Sequence, residues 1–341
     1  MRGAAIIFVV YLHSYFSPWE VSPRREVVAM HVVHLFAHTA VPVFFFISAF
    51  LLSRDSRSSF GALLGRKARR IAVPLLFWMF ASLAFRVWKE GALTGGMVKS
   101  FLLFDISGQF YFVIVLLVFT VAFHFVSDWS VVRLRWLTIA AFAANLGTIV
   151  YYQSSSLQGD FSTLAYRNPL TWVFFFSYGF YVGRSRGTLG WTRRYLAPAL
   201  LGMAALVAIY LAAGERGDYP VSYFGVTVFL FGCLSLVAYP ALVQLVTKPA
   251  AGRLAVRPLT ALSGYAFAIY LVHVPFFIGT GSIADNLISA DSRFNTDFFK
   301  LMNALFVVGF AGSLLFVFAV ARVAPTFADE FMGIEPRRKP T

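Results

Sequence analysis

Charged side chains are scarce in this chain: Asp, Glu, Lys and Arg make up 13% of its 341 residues, where soluble domains carry about 25%. That shortfall excludes an ordinary water-soluble globular protein. There is a single cysteine, Cys233, inside an apolar run. It can form neither an internal disulfide nor a paired-thiol metal site, so redox and zinc chemistry find no support and no metal is expected. Internal repeats, low-complexity tracts and heptad patterns are missing. No clear Asp or Glu falls inside an apolar segment, which argues against an ion-coupled carrier.

What is there is hydrophobic. Apolar residues reach 59%, aromatic residues 18%, and mean hydropathy is +0.73. Apolar stretches lie near residues 3–16, 31–52, 71–88, 109–126, 134–152, 169–183, 195–213, 222–246, 259–279 and 299–321. Spans of this kind must be helical, because hydrocarbon offers a backbone no other hydrogen-bond partner. The expectation is an all-α, polytopic integral membrane protein with about ten transmembrane helices. The first run superficially resembles a signal peptide, but Pro18, Trp19 and Glu20 follow it and not a small-x-small cleavage site.

A net charge of +14 invites a nucleic-acid reading, but its distribution follows topology. With both termini cytoplasmic, Arg2, the Arg54–Arg70 segment, Arg133, Arg135, Arg184–Arg194, Lys248, Arg253, Arg257, Arg322 and the basic end Arg337–Lys339 all fall inside. Glu20, Glu26, Asp160, Asp218, Asp285 and Asp291 fall outside. Retention of Lys and Arg on the inner side explains the basic balance, and no nucleic-acid partner is needed. Outer loops at 17–30, 153–168 and 280–298 are expected to line an external mouth. On the inner side, Arg66, Arg69 and Arg70 fall at i, i+3 and i+4, which puts three guanidinium groups on one face of an α-helix before Pro74.

Ionisable groups at membrane depth are costly and mark candidate sites. His13, His38, His124 and His273 fall in apolar segments, and Asp105 stands at a boundary. Arg2 and His13 are eleven residues apart, about 1100° of helix, which is three turns plus roughly 20° and a rise of roughly 16 Å. They share a face, suiting a long donor that is anionic at one end and reactive at the other. Imidazole is also the usual general base near neutral pH. A helix-packing hydrogen bond for His13 and an orientation charge for Arg2 account for the same residues at this stage.

Arg2 to Tyr15, RGAAIIFVVYLHSY, resembles the first helix of the membrane acyltransferase family called acyltransferase 3, marked by an arginine, ten residues and a histidine. Val41 to Leu52 is similar to its second helix, Arg66 to Pro74 to the basic stretch before its third, Phe110 to Leu117 to a Trp-Phe-Leu helix start, and Ile269 to Pro275 to its penultimate helix. The resemblance implies residues 1–325 as one transmembrane domain, with 326–341 a cytoplasmic basic tail. It implies an O-acyltransferase moving an acyl group, commonly acetyl from acetyl-CoA, to a hydroxyl of a sugar, glycan or lipid-linked acceptor across a bacterial inner membrane. His13 becomes the expected catalytic base or transient acyl acceptor. Arg2, Arg66, Arg69 and Arg70 become the expected donor contacts, since Arg matches phosphate bidentately.

Departures are visible. Lys67, Ala68, Arg69, Arg70 stand where Arg-x-Arg is common, Ala49 replaces the glycine of Ser-Gly-Phe, and Gln109 replaces a frequent histidine. His273, His38, Asp105 and Gln109 are supporting candidates that would touch substrate or orient the base. His31, His34 and His124 read as structural. Trp78, Trp88, Tyr111, Tyr151, Tyr152 and Trp172 read mostly as interface-belt aromatics. A polysaccharide or small-molecule exporter is the alternative function. The acyl group, the acceptor and the oligomeric state are not legible.

Overall fold

The computed structural model describes residues 1–14, 32–54, 59–155, 160–214, 223–287 and 297–334, with backbone alone described at 160–163, 213–214, 278–287 and 297–302. The expected outer loop at 17–30, His31, and the basic end at 337–339 lie outside the described residues.

Among the described residues every regular element is helical. In chain order these are α1 (Arg2–His13), α2 (Val32–Leu52, with a turn at His38 and Thr39), α3 (Phe60–Glu90), α4 (Gly95–Leu102), α5 (Tyr111–Phe125), α6 (Val131–Ser154), α7 (Asp160–Arg167), α8 (Val173–Ser185), α9 (Leu196–Gly214) and α10 (Val226–Val246). There follow α11 (Ala250–Ala255), α12 (Arg257–Ser263), α13 (Ala266–Leu287), α14 (Asp297–Val323) and α15 (Pro325–Met332). Short polar residues start several of them: the Ser59, Thr94 and Ser130 hydroxyls accept from the backbone N–H groups of Ala62, Met97 and Arg133. Gly91, at φ 76°, ends α3 in the left-handed conformation that glycine adopts without a Cβ clash.

Seven described helices are long and apolar enough to cross a bilayer, and the pair α12 and α13, bent by 82°, adds an eighth if counted as one span. These correspond to the expected segments at 31–52, 71–88, 109–126, 134–152, 195–213, 222–246, 299–321 and 259–279. The other two expected segments are helical but short, at 12 residues in α1 and 13 in α8. Twelve residues of α-helix rise about 18 Å, less than the roughly 30 Å of a hydrocarbon core.

The chain forms two compact units. The first comprises Met1–Phe8, Val28–Ser58 and Val115–Ala261. Its most extensive helix contact is between α2 and α8, where Gly179 and Gly183 remove side chains from the contact. A Cβ at Gly179 would lie 2.3 Å from the Phe46 carbonyl oxygen, and one at Gly183 1.9 Å from the Ser53 hydroxyl. This is the small-x-x-x-small packing that lets helix backbones touch in lipid. Polar clasps fix α6 beside them: Thr138 and Ser177 share a 3.0 Å hydroxyl contact, and Asn145 donates to the Thr171 carbonyl at 2.8 Å.

The second unit comprises Val9–Val27, Ser59–Ile114 and Leu262–Thr341. Gly309 and Gly312 on α14 receive the Phe277 and Phe276 rings of α13, which would stand 2.3 and 2.9 Å from an added Cβ. α15 lies on α3, with Phe77 against Phe327 and Phe331 and with Trp78 Nε1 donating to the Phe331 carbonyl at 2.9 Å.

One local expectation is corrected here. The basic stretch is not a continuous α-helix, because residues Ala68–Ala72 form a π-turn inside α3. Pro74 supplies the reason. It has no N–H for the Arg70 carbonyl four residues back, and its ring crowds that oxygen, so the ladder slips to i→i+5 bonds. The Arg70 carbonyl instead lies against Gly333, where a Cβ would approach it to 3.0 Å. Arg66, Arg69 and Arg70 therefore do not follow the α-helical register their spacing implies.

Candidate functional site

α1 ends on His13, and α13 carries His273 in the second unit. Their imidazole rings meet with centroids 4.8 Å apart and planes inclined at 77°. His13 Nδ1 lies 2.9 Å from the Val9 carbonyl oxygen, one helical turn back. His273 Nδ1 lies 2.8 Å from the Tyr270 carbonyl oxygen and 3.2 Å from that of Ile269. A carbonyl only accepts, so each Nδ1 must carry the proton, and each neutral ring presents Nε2 as a lone pair. The two rings differ in access: His13 is half-buried, whereas His273 is fully enclosed. Among the described residues His273 Nε2 has no hydrogen-bond partner.

Around this pair the second unit builds a polar chain. The Tyr270 hydroxyl donates to the backbone carbonyl of Gln109. Gln109 sits in the 3-10 turn Gly108–Phe110 that leads into α5, and its side-chain oxygen accepts from the Ser107 hydroxyl at 2.6 Å. Phe112 packs edge-on against Tyr270, and Tyr11 against Phe306. The preceding loop holds Phe104 at φ 56°, a left-handed conformation uncommon for a bulky residue. Asp105 follows it, partly exposed, with its N–H donating to the Ser100 carbonyl at 2.6 Å.

The expected residues thus fall into groups. His13, His273 and, through Tyr270, Gln109 are brought together. Arg66, Arg69 and Arg70 are exposed on α3, and Arg69 stands 3.9 Å from Asp329, with the two side chains 71% and 38% exposed. Arg2 opens α1 at the end opposite His13 and belongs to the first unit. His38 is also in the first unit, where its Nδ1 donates to the His34 carbonyl at 2.7 Å and its ring packs on Tyr223 at 4.5 Å. Two of the aromatics read as a belt, Trp88 and Tyr151, are exposed, but Tyr111, Tyr152 and Trp172 are interior. Trp172 is enclosed by Phe45 and Tyr223, and its Nε1 donates to the Tyr166 carbonyl. Among the described residues no three His, Cys, Asp or Glu side chains converge.

Sequence reasoning missed Tyr270 and Ser107. Tyr270 precedes His273 by three residues, one helical turn, and that spacing was the available signal. Nothing local marks Ser107.

The apolar helices define an integral membrane protein, and two neutral imidazoles meet at the end of its first helix. The chain belongs to the acyltransferase 3 family: that family's model, described as an acyltransferase domain, matches residues 1–322. It is therefore a membrane acyltransferase. No curated protein matches the chain, and no solved structure does.

Proposed function

We propose that this protein transfers an acyl group, acetyl from acetyl-CoA, to a hydroxyl of a sugar, glycan or lipid-linked acceptor, with His13 as general base. The observation that carries the reading is the 2.9 Å contact of His13 Nδ1 with the Val9 carbonyl, from which the tautomer follows. With Nδ1 committed to the Val9 carbonyl, Nε2 is the nitrogen free to take a proton from an attacking hydroxyl. The hydroxyl oxygen then adds to the thioester carbonyl carbon, the carbon–sulfur bond breaks, and the proton passes from His13 to the departing thiolate. His273 supports the charged ring that forms in between, its Nε2 being an acceptor beside it.

Exposed Arg66, Arg69 and Arg70 are assigned to the donor's phosphates, where guanidinium forks bind bidentately. Arg2, three helical turns before His13, is assigned a donor contact as well. The acceptor is placed on the opposite side of a bacterial inner membrane. Mass spectrometry of envelope glycans and lipids, with and without the gene, tests the reading. Loss of a +acetyl species in the deletion, restored by the wild-type gene and not by His13→Ala, is the expected result. An unchanged envelope profile would contradict it.

A further inference from the structure

The side-chain amide of Gln109 is 1% exposed, and its Nε2 has no hydrogen-bond partner among the described residues. Buried polar atoms are paired in all but a few cases, so each exception calls for a reason. Among the described residues, the side-chain oxygen and the backbone carbonyl of Gln109 are both engaged, and that nitrogen is not. Ser107 donates to its oxygen at 2.6 Å, and Tyr270 donates to the backbone carbonyl of the same residue. The backbone carbonyl of Tyr270, not its hydroxyl, accepts from His273 Nδ1, and the His273 ring rests on His13. The loop leading in carries Phe104 in the left-handed region. A bulky residue persists there only where its surroundings over-determine it, and such residues cluster at active sites.

An unspent N–H donor fits a ligand atom with lone pairs to give. In acyl transfer the atom that gains most charge is the carbonyl oxygen of the acyl group. We propose that Gln109 donates its Nε2–H to that oxygen and stabilises the tetrahedral oxyanion, a catalytic role that rests on the acyl-transfer reading above. As the acceptor hydroxyl oxygen bonds to the carbonyl carbon, its proton goes to His13 Nε2 and the carbonyl π pair moves onto the oxygen facing Gln109. Collapse re-forms the C=O bond and expels the thiolate, which takes the proton from His13. A donor already oriented in an enclosed site needs no reorganisation as the charge appears. A purely structural amide would contribute to stability and leave turnover alone.

The test uses the purified full-length protein, acetyl-CoA as donor and water as acceptor, with release of the CoA thiol as the readout beside thermal stability. Gln109→Leu is expected to lower kcat by about 10²–10³ with KM within about twofold of wild type. Gln109→His, which restores an N–H donor, recovers part of that loss. Ser107→Ala, which frees the amide oxygen, lowers kcat by about tenfold without unfolding the protein. Gln109→Leu or Ser107→Ala with wild-type kcat overturns the inference, as does a loss of rate that tracks a loss of stability and is not recovered by Gln109→His. A wild-type protein that releases no thiol overturns the acyl-CoA reading and this inference together. An active wild type with an unaffected Gln109→Leu overturns this inference alone.

Discussion

At His273 the ring is enclosed, bonded through Nδ1 to its own helix and unpartnered at Nε2 among the described residues. An unpaired buried acceptor costs about 1–3 kcal/mol, and that cost is explained if the ring serves the imidazolium of His13. His273→Phe keeps the shape and the contacts with His13 and Phe277. It is expected to leave the melting temperature unchanged or raised while lowering turnover by about 10². Equal turnover would return His273 to a packing role. The two histidines were legible in the sequence because ionisable groups are rare at membrane depth and because Arg2 and His13 share a helix face. Tyr270 and Ser107 were not, since no local pattern tells which hydroxyl meets a carbonyl far along the chain.

At the level of elements, the basic stretch of α3 and the α2–α8 contact separate function from packing. Arg69 and Asp329 are both substantially exposed, and exposed ion pairs contribute about 0–1 kcal/mol. Arg69→Ala should therefore leave thermal stability near wild type while raising the donor's KM by about tenfold, as loss of a charge-assisted phosphate contact does. An unchanged KM in steady-state assays would make this cation structural. The sequence pointed to the basic cluster but not to the π-turn, because the i, i+3, i+4 spacing holds only for an unbroken α-helical ladder, which Pro74 interrupts at the carbonyl four residues back.

The α2–α8 contact gives a second element-scale prediction. At Gly179 an added methyl group meets the Phe46 carbonyl, a backbone atom that cannot move aside. Gly179→Ala should cost about 1–3 kcal/mol. At Gly147 on α6 nothing lies within 4 Å of an added Cβ, and Gly147→Ala should be neutral or stabilising by up to about 1 kcal/mol. Melting curves in detergent compare the two. The Gly-x-x-x-Gly spacing was present in the sequence, but spacing alone does not say which neighbouring helix approaches it.

On the scale of the whole molecule, composition was the strongest signal. Few charges and apolar runs from end to end made a polytopic helical protein legible, and the family match over residues 1–322 agrees with it. The short helices α1 and α8 were the least legible part, because an apolar run does not encode where its helix stops. The division into two compact units was not legible either. Each unit is assembled from three separated stretches of chain, so no linker or change in composition marks a boundary. On the proposed function, acyl transfer depends on one side chain at the end of α1, His13.

The most direct measurement is turnover of acetyl-CoA by purified protein in lipid vesicles, wild type against His13→Ala, at equal amounts of folded protein judged by melting curves. The account predicts thiol release by wild type and background release by His13→Ala with an unchanged melting temperature. Wild-type turnover in His13→Ala would contradict it.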